Sequence, residues 1–310
     1  TDGTALRIVY MDATQGWIPT LDKAVSDVPI TGNSEGIFAF GSGQNMSNLV
    51  SSVGVVSTDV TGVGTARGLG AACEYGGDKG IFGFGDLVSM TNLVSNAGVV
   101  ATDTTGVGTA RYGLGGAGYG TDKGIMAFGY IGSATYVTSR SLVSNVGVMA
   151  SDAAGAGTAR NYMTACEYGT DTAIFGFGYV ATNVSNLVSN TGVVASDTSG
   201  VGTARYGLGA CTYATDKGIF AYGYTGSWYP VGMSNLVSNT GVVATDVAVV
   251  GTARGALAAT QYGINKGIFG YGETGSKTAV TNLVSTTGVI ASDTAGVGSA
   301  RESLMACSFN

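Results

Sequence analysis

The chain of 310 residues contains no histidine, only 3 prolines and only 2 tryptophans, and charged residues make up 11% of it. The absence of histidine excludes histidine general bases, histidine metal ligands and histidine pH switches. Few prolines, with no glycine at every third position, exclude a collagen-like triple helix. The 14 basic residues and the net charge of −6 argue against nucleic-acid binding. No run of 18 apolar residues is present, so we expect no transmembrane helix and no membrane insertion.

Glycine is abundant instead, with 53 residues, and hydrophobic residues make up 45% of the chain. A disordered chain is poor in apolar residues and rich in charge, so disorder is excluded. A Gly-[Thr/Ser]-Ala-Arg motif recurs at steps of 44 to 49 residues. Its six arginines are Arg67, Arg111, Arg160, Arg205, Arg254 and Arg301. Repeats of this length are typical of propeller blades.

Each copy of the repeat holds four short blocks of β-branched and aromatic residues, separated by Gly, Asp, Ser and Thr. In chain order the first blocks are a Gly-Ile-Phe-Gly-Phe-Gly-like block at 36–41, Leu-Val-Ser at 49–51, a valine-rich block ending at Asp59, and a segment after Arg67 that ends at Tyr75. This pattern predicts strands and turns, whereas a helix interior loses about 1 kcal/mol per glycine. We therefore predict an all-β fold, a six-bladed β-propeller of four-stranded blades over residues 36–310.

The two ends of the chain predict how the ring of blades closes. The first Phe block begins at Gly36 without an inner strand before it, and the chain ends with an unmatched inner strand at 302–309. The C-terminal strand is therefore predicted to complete blade 1. Residues 1–35 do not repeat, and they are predicted to form a strand at 5–12 followed by an extended N-terminal arm. That arm would dock onto the upstream part of the same chain or a neighbouring subunit through Tyr10, Trp17 and Ile18.

An aspartate and an arginine stand eight residues apart in every copy. The pairs are Asp59/Arg67, Asp103/Arg111, Asp152/Arg160, Asp197/Arg205, Asp246/Arg254 and Asp293/Arg301. Their sixfold repetition favours a structural role, as ion pairs or as bonds to turn carbonyls. The alternative is a ring of arginines at one mouth of the channel that captures an anion or an acidic peptide. No metal site is predicted, because each connector offers one carboxylate whereas Ca²⁺ takes 6–8 oxygen ligands.

Catalysis and cofactor binding are not predicted. A nucleophile needs a base, and histidine is absent. The acidic residues outside the repeated motif show no recognisable pair in the sequence; they include Glu74, Glu167, Glu273, Glu302 and Asp86. The four cysteines occupy one repeated position, where other copies carry Ala117 and Thr260, so we expect reduced and buried thiols. No CxxC cluster is present for a metal.

The connection between the Phe block and Leu-Val-Ser breaks the symmetry of the repeats. It is short in the second copy and long in the third and fifth, at 130–139 and 224–232. Loops on a rigid scaffold carry function, and exposed Trp, Tyr and Arg are typical contact anchors. The candidate partner-binding residues are Tyr130, Tyr136, Arg140, Tyr224, Trp228 and Tyr229. Loop drift with incidental packing is the alternative.

The repeats resemble kelch-like propellers. The run Ala110-Arg111-Tyr112-Gly113-Leu114, followed by Lys123 to Gly129, parallels the kelch order of Arg, inner strand, and an aliphatic-aromatic strand ending in Gly. The Gly-Gly doublet and the later Trp of kelch blades are absent. This resemblance implies binding of proteins through loops.

A second resemblance is to bacteriophage virion proteins. Tyr-x-Asp-x-Thr-x-Gly-Trp at 10–17 is similar to segments of such proteins, and the repeats Gly-Ile-Phe-Gly-Tyr-Gly and Leu-Val-Ser-Asn-Thr-Gly-Val-Val look like phage-encoded propellers. It implies a non-enzymatic structural or adhesion module of the virion, either a capsid decoration or a tail or fibre protein. Its partners would be other virion proteins and a host-surface glycan or protein. The alternatives are a secreted or surface glycan-binding propeller and a surface structural protein of a bacterium.

Overall fold

A computed structural model describes residues 6–12, 16–21, 34–179 and 182–309. The chain divides into two compact units, residues 1–32 and 33–310. All regular structure in the described residues is β-strand. No helix among them has the length and hydropathy that a membrane span requires.

Unit 1 contains a β-hairpin. Strand β1 (Leu6–Asp12) pairs antiparallel with β2 (Gly16–Leu21), and the register places Tyr10 opposite Trp17 and Val9 opposite Ile18. The strand predicted at 5–12 is confirmed over Leu6–Asp12, whereas the extended segment predicted after it pairs back onto that strand as β2 instead of forming an arm. Aromatic and β-branched residues on both segments favour cross-strand pairing, which the sequence analysis did not consider.

Unit 2 is built from six small antiparallel sheets. Its strands are β3 (Glu35–Ala39), β4 (Ser47–Val50), β5 (Ala71–Tyr75), β6 (Lys79–Gly83), β7 (Thr91–Val94), β8 (Gly115–Tyr119), β9 (Lys123–Ala127), β10 (Arg140–Val143), β11 (Thr164–Tyr168), β12 (Thr172–Gly176), β13 (Ser185–Val188), β14 (Gly209–Tyr213), β15 (Lys217–Ala221), β16 (Tyr224–Thr225), β17 (Tyr229–Pro230), β18 (Met233–Val237), β19 (Val247–Ala248), β20 (Ala258–Tyr262), β21 (Lys266–Gly270), β22 (Thr281–Val284) and β23 (Met305–Phe309).

In strand order, sheet 1 is β23-β3-β4, sheet 2 is β5-β6-β7, sheet 3 is β8-β9-β10, sheet 4 is β11-β12-β13, sheet 5 is β14-β15-β18-β19 and sheet 6 is β20-β21-β22. Strands β16 and β17 form a separate two-stranded hairpin. The predicted pairing of the C-terminal strand with the first repeat is confirmed, because Cys307 on β23 lies opposite Ile37 on β3.

The prediction of four strands in every sheet is wrong for five of the six, and the valine-rich block itself forms no strand in any copy. In sheet 2 the segment from this block to Thr104 meets β7 at two isolated bridges, Val94–Val100 and Thr91–Thr104. The bridges are three positions apart on β7 but four positions apart on the valine-rich segment. The extra residue breaks the ladder, as in a β-bulge. Only sheet 5 continues the pairing, through the two residues of β19.

The hydrophobic core is divided into six clusters, and each cluster joins two consecutive sheets. Between sheets 1 and 2, for example, Phe40 and Met305 pack with Phe82. The same arrangement joins sheets 2 and 3, 3 and 4, 4 and 5, and 5 and 6. A last cluster joins sheet 6 back to sheet 1, with Ile268 against Phe38. The six sheets thus contact one another in cyclic order, and their first strands surround a central cavity.

The four cysteines are free and buried, as the sequence predicted. Each packs onto a glycine of the following sheet: a Cβ built on Gly218 would lie 2.4 Å from Sγ of Cys166. Where that glycine is replaced, by Ala173 in sheet 4, the cysteine position of sheet 3 holds Ala117, and both belong to one cluster. The two positions therefore share a fixed space between neighbouring sheets.

Candidate functional site

The repeated arginines form a buried set of contacts between sheets. Arg67 is 1% exposed, and its guanidinium lies 4.4 Å from the ring centroid of Phe40 in sheet 1. In sheet 2, its Nε donates to the carbonyl of Phe84 at 2.8 Å and its Nη2 donates to Oδ1 of Asn92 at 2.6 Å. All six arginines stack in this way on an aromatic ring, at 4.4 to 4.7 Å. Each arginine therefore links two neighbouring sheets, by stacking on one and hydrogen-bonding to the other.

The expected pairing within one copy is wrong, because five of the six arginines form an ion pair with the aspartate of the following copy. Five such pairs lie at 2.8 to 3.9 Å: Arg67–Asp103, Arg111–Asp152, Arg160–Asp197, Arg205–Asp246 and Arg301–Asp59. The arginine ends the connector that leads into the next sheet, so it faces that sheet's aspartate. With at most 1% exposure, these arginines are not an open ring for capturing an anion.

Sequence reasoning missed the asparagine that completes this network. Asn92 on β7 accepts a hydrogen bond from Arg67 and donates one from its own Nδ2 to Oδ1 of Asp103 at 2.8 Å. The hydroxyl of Thr65 donates to Oδ2 of the same aspartate. The equivalents are Asn48, Asn186, Asn235 and Asn282, with the shorter Ser141 in sheet 3. The asparagine precedes Leu-Val in five of the six copies, and that repetition was the available signal.

In sheet 3 the arginine contacts the aspartate directly, since Arg111 and Asp152 lie 2.8 Å apart. Burial acts to raise the pKa of Asp152, but hydrogen bonds from Arg111 and Thr109 lower it to about 2. Burial also lowers the pKa of Arg160 to about 10, which leaves its guanidinium charged at neutral pH.

One end of the central cavity, which we call the mouth, is lined by three sets of repeat-equivalent residues. The innermost residues stand two positions after each arginine: Leu69, Gly113, Tyr162, Gly207, Ala256 and Ser303. The middle set stands one position after it: Gly68, Tyr112, Asn161, Tyr206, Gly255 and Glu302. The outer set follows the Phe block: Ser42, Asp86, Tyr130, Tyr179, Tyr224 and Glu273. None of the three sets keeps one residue type through all six copies.

The half of the mouth formed by sheets 3, 4 and 5 is aromatic. Tyr162 and Tyr206 lie 5.8 and 5.2 Å from Trp228, measured between ring centroids, and Tyr224 lies 5.1 Å from it. Trp228 is 53% exposed and sits on the loop between β16 and β17. The connected rings, which we call the aromatic cluster, are Tyr112, Tyr130, Tyr136, Tyr162, Tyr179, Tyr206, Tyr224 and Trp228.

Tyr162 adopts a backbone conformation that tyrosine rarely takes. Its φ is 51°, in the left-handed region, at a position where Gly113 and Gly207 stand in the neighbouring sheets. All six residues at this position have a φ between 50° and 68°, so the left-handed turn belongs to the repeat and the surrounding structure imposes it on tyrosine. Here it places an aromatic ring at the mouth, where glycine would leave none.

The opposite half, formed by sheets 6, 1 and 2, is acidic. The carboxyl groups of Glu273 and Glu302 hydrogen-bond to each other. Burial, together with that bond and the charge of Glu273, raises the pKa of Glu302, and Nζ of Lys277 lies 3.9 Å away. Tyr224 links the two halves, donating its hydroxyl to Oε2 of Glu273 at 3.3 Å. Gly255 makes room for this, because an added Cβ would lie 2.2 Å from the Tyr224 ring.

A second carboxyl pair lies deeper in the central cavity, which has a volume of about 140 Å³. The pKa of Glu167 lies well above its usual range. Burial is the main cause, and the charge of Glu74 and a hydrogen bond with Glu74 add to it. Glu74 in turn accepts hydrogen bonds from the backbone and hydroxyl of Ser308. The expectation that these acidic residues form no pair is therefore wrong. They lie on different copies of the repeat, and Gly118 between them leaves the space that they share.

The structure brings four of the six predicted loop residues together, Tyr130, Tyr136, Tyr224 and Trp228. Tyr229, which is 74% exposed, lies beside them on β17. Arg140 does not join them, because it begins β10 and donates to the carbonyl of Ala154. The predicted docking residues lie on the hairpin of unit 1: Tyr10 on β1, and Trp17 and Ile18 on β2. The structure describes the backbone pairing of these strands and not their side chains. Four tyrosines that sequence reasoning missed complete the cluster: Tyr112, Tyr162, Tyr179 and Tyr206.

No protein-family model and no curated protein matches this sequence. The assignment of the site therefore depends on its own geometry and on the sequence resemblances.

Proposed function

We propose that the chain is a six-bladed, kelch-like propeller that acts as a non-enzymatic structural or adhesion module of a bacteriophage particle. Support for the propeller comes from the cyclic order of the six inter-sheet clusters and from the pairing of β23 with β3. An adhesion module needs a rigid scaffold with a distinctive contact surface. The buried arginines supply rigidity, and the mouth supplies the surface.

The observation that carries the contact role is the aromatic cluster. It unites residues of three sheets, although the two long connections that supply Tyr136 and Trp228 are far apart in sequence. A large aromatic surface that remains partly exposed is typical of protein contact sites. The virion assignment rests on the resemblance of residues 10–17 and of the repeats, and the hairpin of unit 1 would attach the module to other virion proteins.

The carboxyl pairs argue against a glycosidase. Glu273 and Glu302 hydrogen-bond to each other, as do Glu74 and Glu167. A retaining glycosidase separates its two carboxyl groups by about 5 Å to flank the scissile bond, and an inverting enzyme separates them further. Carboxyl groups that share a hydrogen bond do not flank a scissile glycosidic bond in this way.

Immunogold labelling of purified particles tests the location. Labelling at fixed points on virions is expected, and its position distinguishes capsid decoration from a tail adhesin. Free protein with no labelled particles would overturn the virion assignment. For the contact surface, Trp228→Ala should reduce adsorption of the isolated protein to host cells at least tenfold. Val148→Ala, at a residue 63% exposed and outside the aromatic cluster, is the matched control and should leave adsorption unchanged.

A glycan-binding propeller is the second candidate, favoured by the exposure of Trp228 and Tyr229 beside the carboxyl groups of the mouth. Aromatic faces with nearby polar groups are suited to stacking a sugar ring. Tryptophan is not repeated in the other copies, which argues against several equivalent sugar sites. Binding of the protein to an array of neutral oligosaccharides, lost in the Trp228→Ala variant, would support this candidate.

A further inference from the structure

The two halves of the mouth differ in chemistry, and the difference restricts what the mouth can bind. One half offers aromatic faces, which attract cations through their quadrupole. The other offers the Glu273–Glu302 pair, and Asp86 lies in the same outer set of residues. The positive side chain near this pair is that of Lys277, which is 46% exposed. An anionic ligand would meet repulsion and a cationic ligand would meet attraction.

We propose that the mouth binds the lysine or arginine side chain of a basic segment of a partner protein. The cationic group would lie between the aromatic cluster and the Glu273–Glu302 pair, and the stem of the side chain would pack on the rings. This inference rests on the proposed adhesion function and names the chemistry of its partner.

The chain already places one ammonium group beside the acidic pair. Nζ of Lys277 lies 3.9 Å from Oε1 of Glu302, and the lysine side chain is 46% exposed. A long, exposed lysine gains little from such a pair and moves away at small cost. Lys277 therefore acts as an internal counter-ion that a ligand cation displaces.

A buried hydrogen-bond acceptor at the mouth also lacks a donor. Asn161 is 3% exposed and occupies the middle set of mouth residues between Tyr112 and Tyr206. Its Oδ1 accepts no hydrogen bond from any residue in the described part of the chain. A buried polar atom without a partner is costly. An ammonium or guanidinium group supplies the donor that this acceptor needs.

The first test uses three blocked peptides of equal length, one rich in lysine, one rich in glutamate and one neutral, titrated into the whole chain by calorimetry. We expect binding of the lysine peptide alone, and binding that weakens as salt is raised. The double variant Glu273→Gln/Glu302→Gln should weaken that binding at least tenfold. Glu35→Gln is the matched control, because Glu35 begins β3 at the end of sheet 1 away from the mouth.

Lys277→Gln provides a test in the opposite direction. Removing the internal counter-ion should strengthen binding of the lysine peptide severalfold, a gain that loss of folding cannot produce. Unchanged affinity in Lys277→Gln and in the double glutamine variant would overturn the inference. So would preference for the glutamate peptide or for neutral oligosaccharides.

Adsorption to host cells separates this inference from the function on which it rests. If Trp228→Ala abolishes adsorption while the double glutamine variant adsorbs normally, the mouth is the contact surface but does not recognise a cation. If neither variant changes adsorption, the proposed contact surface itself is wrong.

Discussion

The contacts between sheets and the residues of the mouth are built from the same six copies, yet the copies agree in one place and differ in the other. Between sheets, every copy supplies a buried arginine on an aromatic ring. At the mouth, the position after that arginine holds glycine, tyrosine, asparagine or glutamate. Neighbouring sheets must meet in the same geometry six times, so their contacts repeat. A surface with one partner has no reason to repeat.

The largest effect is expected from removing residues 302–310. This deletion takes away β23, which pairs with β3 and packs between the first strands of sheets 6 and 2. Cooperative thermal unfolding should disappear, because sheet 1 loses its inner strand and the clusters on both of its faces lose Leu304, Met305, Cys307 and Phe309. Calorimetry measures this. Deletion of residues 1–32, a separate compact unit, is the control and should keep the transition. A chain lacking 302–310 that retains the full melting temperature would contradict the closure described here.

The next largest effect is expected from Arg67→Ala. The change leaves Oδ1 of Asn92 and the carbonyl of Phe84 without their donor and removes the stacking on Phe40. Removing one partner of a buried charged network costs about 3–5 kcal/mol. Urea unfolding should show a loss of that size in the free energy of unfolding. Arg140→Ala, at a half-buried arginine outside this network, should cost less than half as much.

A smaller and more specific loss of stability is expected from overpacking the space that Cys166 and Gly218 share. Gly218→Ala places a methyl group 2.4 Å from Sγ of Cys166 and should cost about 1–3 kcal/mol through overpacking. The double variant Cys166→Ala/Gly218→Ala reproduces the natural Ala117/Ala173 pair and should recover most of that loss. Denaturant unfolding of the two single variants and the double variant gives the coupling energy. Strictly additive costs would show that the two positions do not share one space.

The smallest effect is expected from Glu167→Gln, and it should depend on pH. Because burial and Glu74 raise the pKa of Glu167 in the folded state, its favourable contribution is complete below the unfolded pKa of about 4.3. That contribution is lost as the pH rises toward the folded-state pKa. The neutral amide should therefore raise the melting temperature by a few degrees at pH 8 and leave it nearly unchanged at pH 4.

Glu74→Gln is the comparison for this variant. Glu74 accepts two hydrogen bonds from Ser308, which an amide satisfies less well, so its gain at pH 8 should be smaller. A melting temperature of Glu167→Gln that follows the parent at every pH would show that the pair does not influence stability.

Local sequence determined three strands of each copy and the number of sheets. The alternation in Gly-Ile-Phe-Gly-Phe-Gly and the flanking glycines specify short strands through nearest neighbours alone, and β6, β9 and their equivalents lie where the blocks predicted them. The unmatched last block was enough to predict that β23 pairs with β3. Each of these features depends on residues adjacent in the chain or on counting copies.

Only the tertiary structure decided which copies meet. Arg67 pairs with Asp103 instead of Asp59, Glu74 shares a cavity with Glu167, and Tyr162 joins Trp228. The partners in these contacts stand 36, 93 and 66 residues apart in the sequence. A period of about 47 residues gives six equivalent positions for every side chain, and it does not say which of them face each other. The packing of whole sheets around the cavity makes that choice, because it brings the start of every inner strand to one mouth.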